Sequence, residues 1–281
     1  LAKDNIVFHT IIFPAILSQL DGFILPKNVP ANEFLNLEGQ KLSTSRNWAV
    51  WANEYLNDFN GQEDVLRYVL CSIAPENKDS DFSWKDFQAR NNNELCSIYG
   101  NFVNRSLVLT HKYYDGKAPS LGGLITIDQK VIIELKEIPK QVEMDIRAFR
   151  FRDALSKAMS LARLGNKYLA ETEPWKLIKS NPERVKTIMN ISLQITANLT
   201  IILEPFMPKK SKELASLLNI DLKNWDNAAN ENLISEGHQI NKPNILFTKI
   251  EDDKIEKQIE KLESSSLKQS KYPPMKKEIT F

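Results

Sequence analysis

The stretch FRDALSKAMSLARLGNKYLAETEPW, residues 151–175, is the clearest guide to the fold. Its apolar positions recur at helical spacing: Phe151, Ala154, Leu155, Ala158, Met159, Ala162, Gly165 and Leu169. We predict one amphipathic helix that ends near Glu173-Pro174, because the residue before a proline disfavours helical backbone. A helix with one apolar stripe has to bury it against other elements, so this stretch favours a helix bundle.

Helical patterns continue on both sides of this stretch. We predict further helices over residues 49–59, 61–72, 84–110, 184–203, 209–218 and 251–263. The predicted helix 84–110 carries Asn101 and Arg105 on the flank of its apolar stripe. Residues 113–139 contain glycine, proline and a β-like run, Val131 to Leu135, and we interpret them as a connection between two long helices.

The first 45 residues follow another pattern. Residues 5–17 are strongly apolar and resemble a buried strand or loop that leads into a short helix within a larger core. Residues 21–45 are rich in turn-forming residues, and Glu38-Gly39 follows the short piece 33–37. This arrangement predicts a β-hairpin in an otherwise helical chain.

Composition excludes several classes of protein. Hydrophobic residues make up 42% of the 281, yet no run approaches the roughly 20 apolar residues that cross a bilayer. Cys71 and Cys96 form no CxxC pair, which argues against a zinc knuckle or disulfides and favours a reducing, cytoplasmic setting. None of the three histidines lies in a nucleophile motif, and no Walker loop or dinucleotide fingerprint occurs.

Charge is balanced over the whole chain but not along it. The net charge is +1, whereas residues 147–186 contain ten Lys or Arg against four Asp or Glu. One interpretation is a basic surface that lines RNA phosphates. The alternative is an ordinary solvated helix face.

A short polar loop, Lys41-Leu42-Ser43-Thr44-Ser45 followed by Arg46, is a candidate phosphate-binding segment. Cationic side chains and hydroxyl donors stabilise negative charge as it moves during attack on an α-phosphate. A surface loop without function is the alternative for so short a pattern.

This loop resembles the KMSKS signature of class I aminoacyl-tRNA synthetases. Upstream, residues 3–9 (KDNIVFH) resemble the segment of the methionyl-tRNA synthetase family that faces the amino acid and adenylate. Downstream, residues 79–84 (DSDFSW), 91–95 (NNNEL) and 100–105 (GNFVNR) are similar to that family's entry into its helical domain. The resemblance extends over roughly residues 3–247.

The resemblance implies a ligase that forms methionyl-adenylate from methionine and ATP with Mg, then transfers methionine to tRNA(Met). The resemblance assigns catalytic roles in the loop to Lys41, Ser43, Thr44 and Ser45. Asp4, Lys41 and Arg46 would contact ATP or the adenylate, and His9 and Phe13 would contact methionine. Thr44 departs from the signature's second lysine and carries no charge. Either Lys41 or Arg46 compensates, or activation relies less on this loop.

Three residues are candidates for anticodon binding. Unpaired bases are recognised by aromatic stacking and by amide and guanidinium hydrogen bonds. Asn101 and Arg105 are neighbours on one helix face, Trp175 follows Pro174, and by resemblance they match the residues that read CAU. The alternatives are a buried tryptophan between helices and a surface pair formed by Asn101 and Arg105.

We therefore expect a mainly α fold, with an anticodon-binding helix bundle preceded by an α/β remnant of the class I catalytic domain and stem-contact region. We assign residues 1–84 to that remnant, 85–244 to the bundle and 245–281 to a helical tail and linker. By resemblance, the HIGH signature and any zinc site lie upstream, so we expect no metal in this chain and no aminoacylation by it alone.

Further expectations concern partners and rival functions. Residues 272–281 resemble the approach to an appended OB-fold domain, which could mediate a homodimer. One rival function is a helical protein-interaction module that binds an acidic partner through Trp175 and the basic helix. The other is a class I synthetase for leucine, isoleucine, valine or cysteine.

Overall fold

A computed structural model describes residues 1–267. The predicted approach to an OB-fold domain at 272–281 lies outside the described residues. Contacts divide the chain into two compact units. The first, called the N-terminal unit, comprises Leu1–Gly61, Ile73–Gln88 and the described residues from Ile250. The second, called the helical unit, comprises Gln62–Ser72 and Ala89–Lys249.

The described residues are mainly helical, as the sequence predicts. The α-helices are α1 (Phe13–Leu17), α2 (Ala52–Asp58), α3 (Glu63–Ser72), α4 (Trp84–Arg90), α5 (Asn101–Tyr114), α6 (Thr126–Arg147), α7 (Phe151–Thr172), α8 (Pro174–Leu177), α9 (Pro182–Ile202), α10 (Pro208–Leu218) and α11 (Asp252–Leu267). Lys3–Asn5 and Trp225–Asn227 are 3-10 helices, and Phe8–Ile12 and Asn91–Gly100 are π-helices. Within residues 1–267, none of the helices has the length and apolar content needed to span a membrane.

A three-stranded sheet organises the N-terminal unit. Its strands are β1 (Leu35–Leu37), β2 (Gln40–Lys41) and β3 (Ser80–Phe82), in the order β2-β1-β3. Strand β1 pairs antiparallel with β2 and parallel with β3. Glu38 and Gly39 both have positive φ, 48° and 72°, as a two-residue hairpin turn requires. The predicted hairpin is confirmed.

Aromatic side chains form the core of this unit. Tyr55 on α2 and Phe59 at the C-terminal end of that helix pack against Trp84 and Phe87 on α4, with ring centroids 5.5 to 6.4 Å apart. All four rings are buried. Such pairs contribute about 0.5–1.5 kcal/mol each beyond their buried area, so they hold α2 firmly on α4.

The opening segment differs from the sequence prediction. Residues 3–17 are helical turns and not a strand, and most of their apolar side chains are exposed. Ile11, for example, is 63% exposed. A helix satisfies its own backbone hydrogen bonds, whereas a strand needs a neighbour that the described residues do not offer here. Exposed apolar surface of this kind is typical of an interaction surface.

The helical unit is a bundle in which α7 packs along α6 and α9. Residues 126–147 form the helix α6, so the predicted connection over 113–139 with a β-like run is wrong. Val131, Leu135, Ile138 and Val142 are buried at helical spacing. Packing against α7 outweighs the β preference of valine and isoleucine, and Pro139 is accommodated within the helix.

Central helix α9 is buried along most of its length and carries polar residues inside the bundle. The Gln194 amide donates to the Ile234 carbonyl at 2.7 Å and accepts from the Leu233 and Ile234 amides. The Asn198 amide donates to the Asn230 carbonyl at 2.8 Å. Buried polar groups need such partners, and these bonds fasten the loop 229–234 to the bundle.

Contact between α5 and α7 is unusually close at one point. Gly165 lies directly under the ring of buried Phe102, and an added methyl group at Gly165 would overlap that ring. Position 165 is therefore a glycine because the Phe102 ring of α5 fills the space that a side chain would occupy.

We predict that Gly165→Ala destabilises the chain by about 1–3 kcal/mol, because the new methyl group displaces Phe102. Thermal or denaturant unfolding measures the change. Ser156→Ala, at an exposed position of the same helix, is the matched control and is expected to shift stability by less than about 0.5 kcal/mol. Equal effects of the two substitutions would contradict the packing argument.

A buried ion pair joins α6 to α9. The Asp128 carboxylate accepts two hydrogen bonds from the Arg184 guanidinium, both 2.6 Å, and one from the Tyr168 hydroxyl, also 2.6 Å. It also accepts from the Ile125 amide at 2.9 Å, which caps α6. Burial alone would raise the pKa of Asp128, but the bonds from Arg184 and Tyr168 outweigh it and hold the pKa below its ordinary value.

We predict that Asp128→Asn destabilises the chain by about 3 kcal/mol, because Arg184 keeps a largely buried charge without its partner. Because the pKa of Asp128 is lowered in the folded chain, the stability contributed by this carboxylate depends on pH. The charged carboxylate stabilises the fold above the ordinary carboxyl pKa of about 4, and this contribution is lost as pH falls through the folded-state value.

Urea unfolding between about pH 2 and 6 tests both points. The substitution should flatten the acid limb of the stability curve, whereas Glu171→Gln, an exposed control, should leave it unchanged. An unaltered acid limb in Asp128→Asn would contradict the role of this ion pair.

Candidate functional site

Helix α5 presents two of the predicted anticodon residues on its surface. Asn101 is exposed at its first turn and Arg105 is half-buried one turn later. The Asn101 amide donates to the Asn166 side-chain oxygen on α7 at 3.4 Å, and the Asn166 amide donates to the Ile98 carbonyl at 2.8 Å. The α5–α7 contact therefore also orients Asn101.

The chain changes direction sharply after α7, and this turn places Trp175 at the surface. Glu173 adopts a left-handed conformation, with φ of 41°, and ends α7. Pro174 is buried at the start of the short helix α8, so Trp175 at the next position turns toward solvent. Its side chain is 38% exposed, which is incompatible with a tryptophan enclosed in the core.

Arg105 and Trp175 meet at the surface. The guanidinium carbon of Arg105 lies 4.8 Å from the centroid of the indole ring, a cation–π contact. We call Asn101, Arg105 and Trp175 the indole patch. It combines a partly exposed aromatic face with guanidinium and amide groups, which are the groups that hold an unstacked base.

Folding neutralises much of the basic stretch 147–186. At least seven of its ten cations form ion pairs among the described residues: Arg147 with Glu143, Arg150 and Lys157 with Asp145, Lys167 with Glu171, Lys176 with Glu173, Arg184 with Asp128, and Lys186 with Glu183. Three of the carboxylates belong to α6 and lie before residue 147. A count along the sequence therefore overestimates the positive charge of this surface.

The candidate phosphate loop is the tip of a small hairpin in the N-terminal unit. Backbone hydrogen bonds of 3.0 and 2.9 Å between Ser43 and Trp48 close it. The Ser43 hydroxyl lies 3.2 Å from that of Ser45 and accepts from the Arg46 amide at 3.3 Å. Thr44, Ser45 and Arg46 are exposed at the tip, and Lys41 is exposed on the preceding strand.

His9 and Phe13, the predicted methionine-binding residues, line one cleft. It has a volume of about 510 Å³, and residues 24–26 and 28–30, among them Ile24 and Leu25, also line it. The predominantly apolar lining suits an apolar side chain. Asp4, predicted to lie by the nucleotide, is exposed outside this lining.

The chain is similar to two known protein families. Residues 1–107 match tRNA synthetases class I (M). Residues 118–266, more than half of the chain, match the anticodon binding domain of methionyl tRNA ligase. The chain belongs to the methionyl-tRNA synthetase family.

Relatives in this family are similar over the whole chain. It is 58% identical to a methionine–tRNA ligase of Cytophaga hutchinsonii, covering 100% of this chain and 41% of that protein. It is 59% identical to one of Bacteroides fragilis, covering 93% and 39%. The chain thus spans about two fifths of the length of these curated relatives.

Solved structures agree with the fold. The Mycobacterium tuberculosis methionyl-tRNA synthetase in complex with methionyl-adenylate aligns with a TM-score of 0.78 at 25% identity, over 88% of this chain and 48% of that chain. The apo form of the same enzyme aligns with a TM-score of 0.77 at 22% identity, over 89% and 49%. The mainly α fold with an α/β remnant, expected from sequence, is confirmed.

Two residues that support the candidate sites are not predicted from the sequence. Asn166 on α7 accepts a hydrogen bond from Asn101, and Asn47 beside the candidate phosphate loop accepts a 2.9 Å hydrogen bond from the Trp51 indole. An asparagine on the polar flank of a helix carries no signal of such a role. Asn47 has a positive φ of 53°, a conformation that asparagine tolerates better than most residues, so its position just after the loop was a usable signal.

Proposed function

We propose that the chain is part of a methionine–tRNA ligase and that the indole patch reads the CAU anticodon of tRNA(Met). One observation carries the proposal: Arg105 stacks on the exposed indole of Trp175 in the unit that matches an anticodon-binding family. Trp175 keeps 38% of its surface exposed beside this contact, so a base can approach the indole.

Each member of the patch has a distinct role in this proposal. Trp175 supplies the stacking surface, which is tolerant of sequence because every base has a π face. Arg105 donates hydrogen bonds to base acceptors, and the Asn101 amide can both donate and accept along a Watson–Crick edge. Specificity for CAU would therefore come from Arg105 and Asn101, with affinity mainly from Trp175.

In the ligase reaction, the methionine carboxylate attacks the α-phosphate of ATP and releases pyrophosphate. The terminal ribose hydroxyl of the tRNA then takes the methionyl group and releases AMP. Lys41 and Arg46 would contact ATP, with Ser43, Thr44 and Ser45 as hydroxyl donors. We place methionine in the cleft between His9 and Phe13, with Asp4 at the nucleotide.

Magnesium would accompany ATP in this reaction. Residues 41–46 contain hydroxyls and cations but no carboxylate. Such groups suit phosphate oxygens and not a divalent cation, so we infer that the metal would be held by the ATP phosphates. Thr44, which lacks the charge of the family's lysine, would act as a hydrogen-bond donor beside Ser45.

Other expectations from the sequence remain proposals. We place the protein in the cytoplasm, the site of protein synthesis, and retain a homodimer formed through a further domain as a prediction. The rival specificities for other amino acids are disfavoured by the match to methionine-specific families. Measurement of RNA binding tests the rival function, a helical protein-interaction module.

We predict that the 281-residue chain binds a CAU anticodon stem–loop RNA more tightly than one with a changed anticodon. Trp175→Ala should lower the affinity for the CAU hairpin by roughly 10- to 100-fold, because stacking contributes about 1–3 kcal/mol per base. Fluorescence anisotropy with labelled RNA measures both quantities.

Phe151→Ala is the matched control, since Phe151 is a comparably exposed aromatic residue at the opposite end of α7, roughly 33 Å away by helix length. It should leave RNA affinity unchanged. If both hairpins bind equally and Trp175→Ala changes nothing, the protein-interaction module becomes the better account.

For the catalytic part, we predict that Lys41→Ala slows methionine-dependent exchange of pyrophosphate into ATP by about 100-fold. Removal of one preorganised charge contact from a transition state has effects of that order. The assay uses the natural full-length protein that contains these residues. Lys85→Ala, at an exposed position on α4, is the control, and comparable losses in the two variants would contradict a role for the loop.

A further inference from the structure

We propose that Arg163 and Lys179 contact RNA phosphates on opposite sides of the indole patch. The inference rests on the proposed function, because it concerns the RNA strand whose bases the patch would hold. Neither residue was singled out in the sequence, where both are hidden among the ten cations of residues 147–186.

These two residues differ from the other cations of the stretch in their ion pairing. Seven cations of the stretch form ion pairs, and Arg152 makes an interaction of its own. Within residues 1–267, Arg163 and Lys179 are the members of the stretch that form no ion pair, and both are exposed. A cation without a carboxylate partner can bind a phosphate at no cost of breaking an existing pair.

Arg163 lies on the Asn101 side of the patch. It is on α7 one turn before Asn166, whose side-chain oxygen accepts from Asn101. Residues three apart on a helix share a face, so exposed Arg163 and half-buried Asn166 lie on the same face of α7. Arg163 acts electrostatically on Tyr68, but the Tyr68 hydroxyl donates its hydrogen bond to Glu94 and leaves the guanidinium available.

Lys179 lies on the Trp175 side. It follows Trp175 by four residues, in a turn defined by hydrogen bonds from the Ile178 amide to the Pro174 carbonyl and from the Ser180 amide to the Leu177 carbonyl, both 3.0 Å. The neighbouring Lys176 is paired with Glu173 at 2.7 Å. Lys179 is therefore the cation of this turn that can reach an anionic ligand.

These positions match the needs of a single strand that enters and leaves a base-stacking site. A base held against the indole directs its own backbone away from the ring, so the phosphates on its two sides lie at the margins of the patch. Contacts of this kind position the strand and add affinity without reading sequence. Their signature is a dependence of binding on salt, because each neutralised phosphate releases bound counterions.

The experiment measures the affinity of the 281-residue chain for two anticodon stem–loop RNAs, CAU and a changed anticodon, over a series of salt concentrations. We expect Arg163→Gln and Lys179→Gln each to reduce the slope of log affinity against log salt by about 0.7, the value for one single-strand phosphate contact. Affinity at low salt should fall roughly 3- to 10-fold, equally for both RNAs.

Arg147→Gln is the matched control, because Arg147 is exposed but paired with Glu143. It should leave the salt slope unchanged. The exposed positions of both test residues predict unchanged melting temperatures, which circular dichroism verifies.

The outcomes separate this inference from the proposed function. If the unsubstituted chain prefers CAU but neither variant changes the salt slope, the phosphate contacts are refuted and the proposed function stands. A variant that loses only the preference for CAU also refutes them, since it reads bases. If the unsubstituted chain shows no preference, the proposed function fails, while reduced slopes in the variants would still support the phosphate contacts.

Discussion

The packing of Phe102 on Gly165 is the contact on which the rest of the helical unit depends. It brings α5 against α7 closely enough for Asn101 to meet Asn166, and Arg105 follows Asn101 by one helical turn. The left-handed Glu173 then turns the backbone and delivers Trp175 to Arg105. The indole patch thus combines a close helix contact at a glycine with a left-handed turn at the end of α7.

Much of the fold could be predicted from sequence because the amphipathic helices are long and regular. The apolar stripe of α7 is buried as expected from Ala154 to Leu169, and that helix ends beside Pro174. Helix α6 was missed because its apolar run is β-branched and because Pro139 lies within it. The contacts with α7 decide between helix and strand for this run, and the local sequence pattern does not contain them.

The candidate site was predictable in part. Asn101, Arg105 and Trp175 could be named because residue types and helical spacing point to base recognition, and the structure brings Arg105 and Trp175 into contact. The supporting role of Asn166 could not be predicted, since it depends on how two helices cross. The neutralisation of the basic stretch could not be predicted for the same reason. Its cations pair with Asp128, Glu143 and Asp145 on α6, and these ion pairs form only when the chain folds.

The most direct test of this account is a double-mutant cycle for binding of the CAU stem–loop, with Arg105→Gln and Trp175→Ala made singly and together. If the guanidinium and the indole act together on one base, the two losses in binding free energy should be non-additive, with a coupling of about 1 kcal/mol or more. Strictly additive losses would mean that the two side chains act at separate places, and the indole patch would not be a single recognition site.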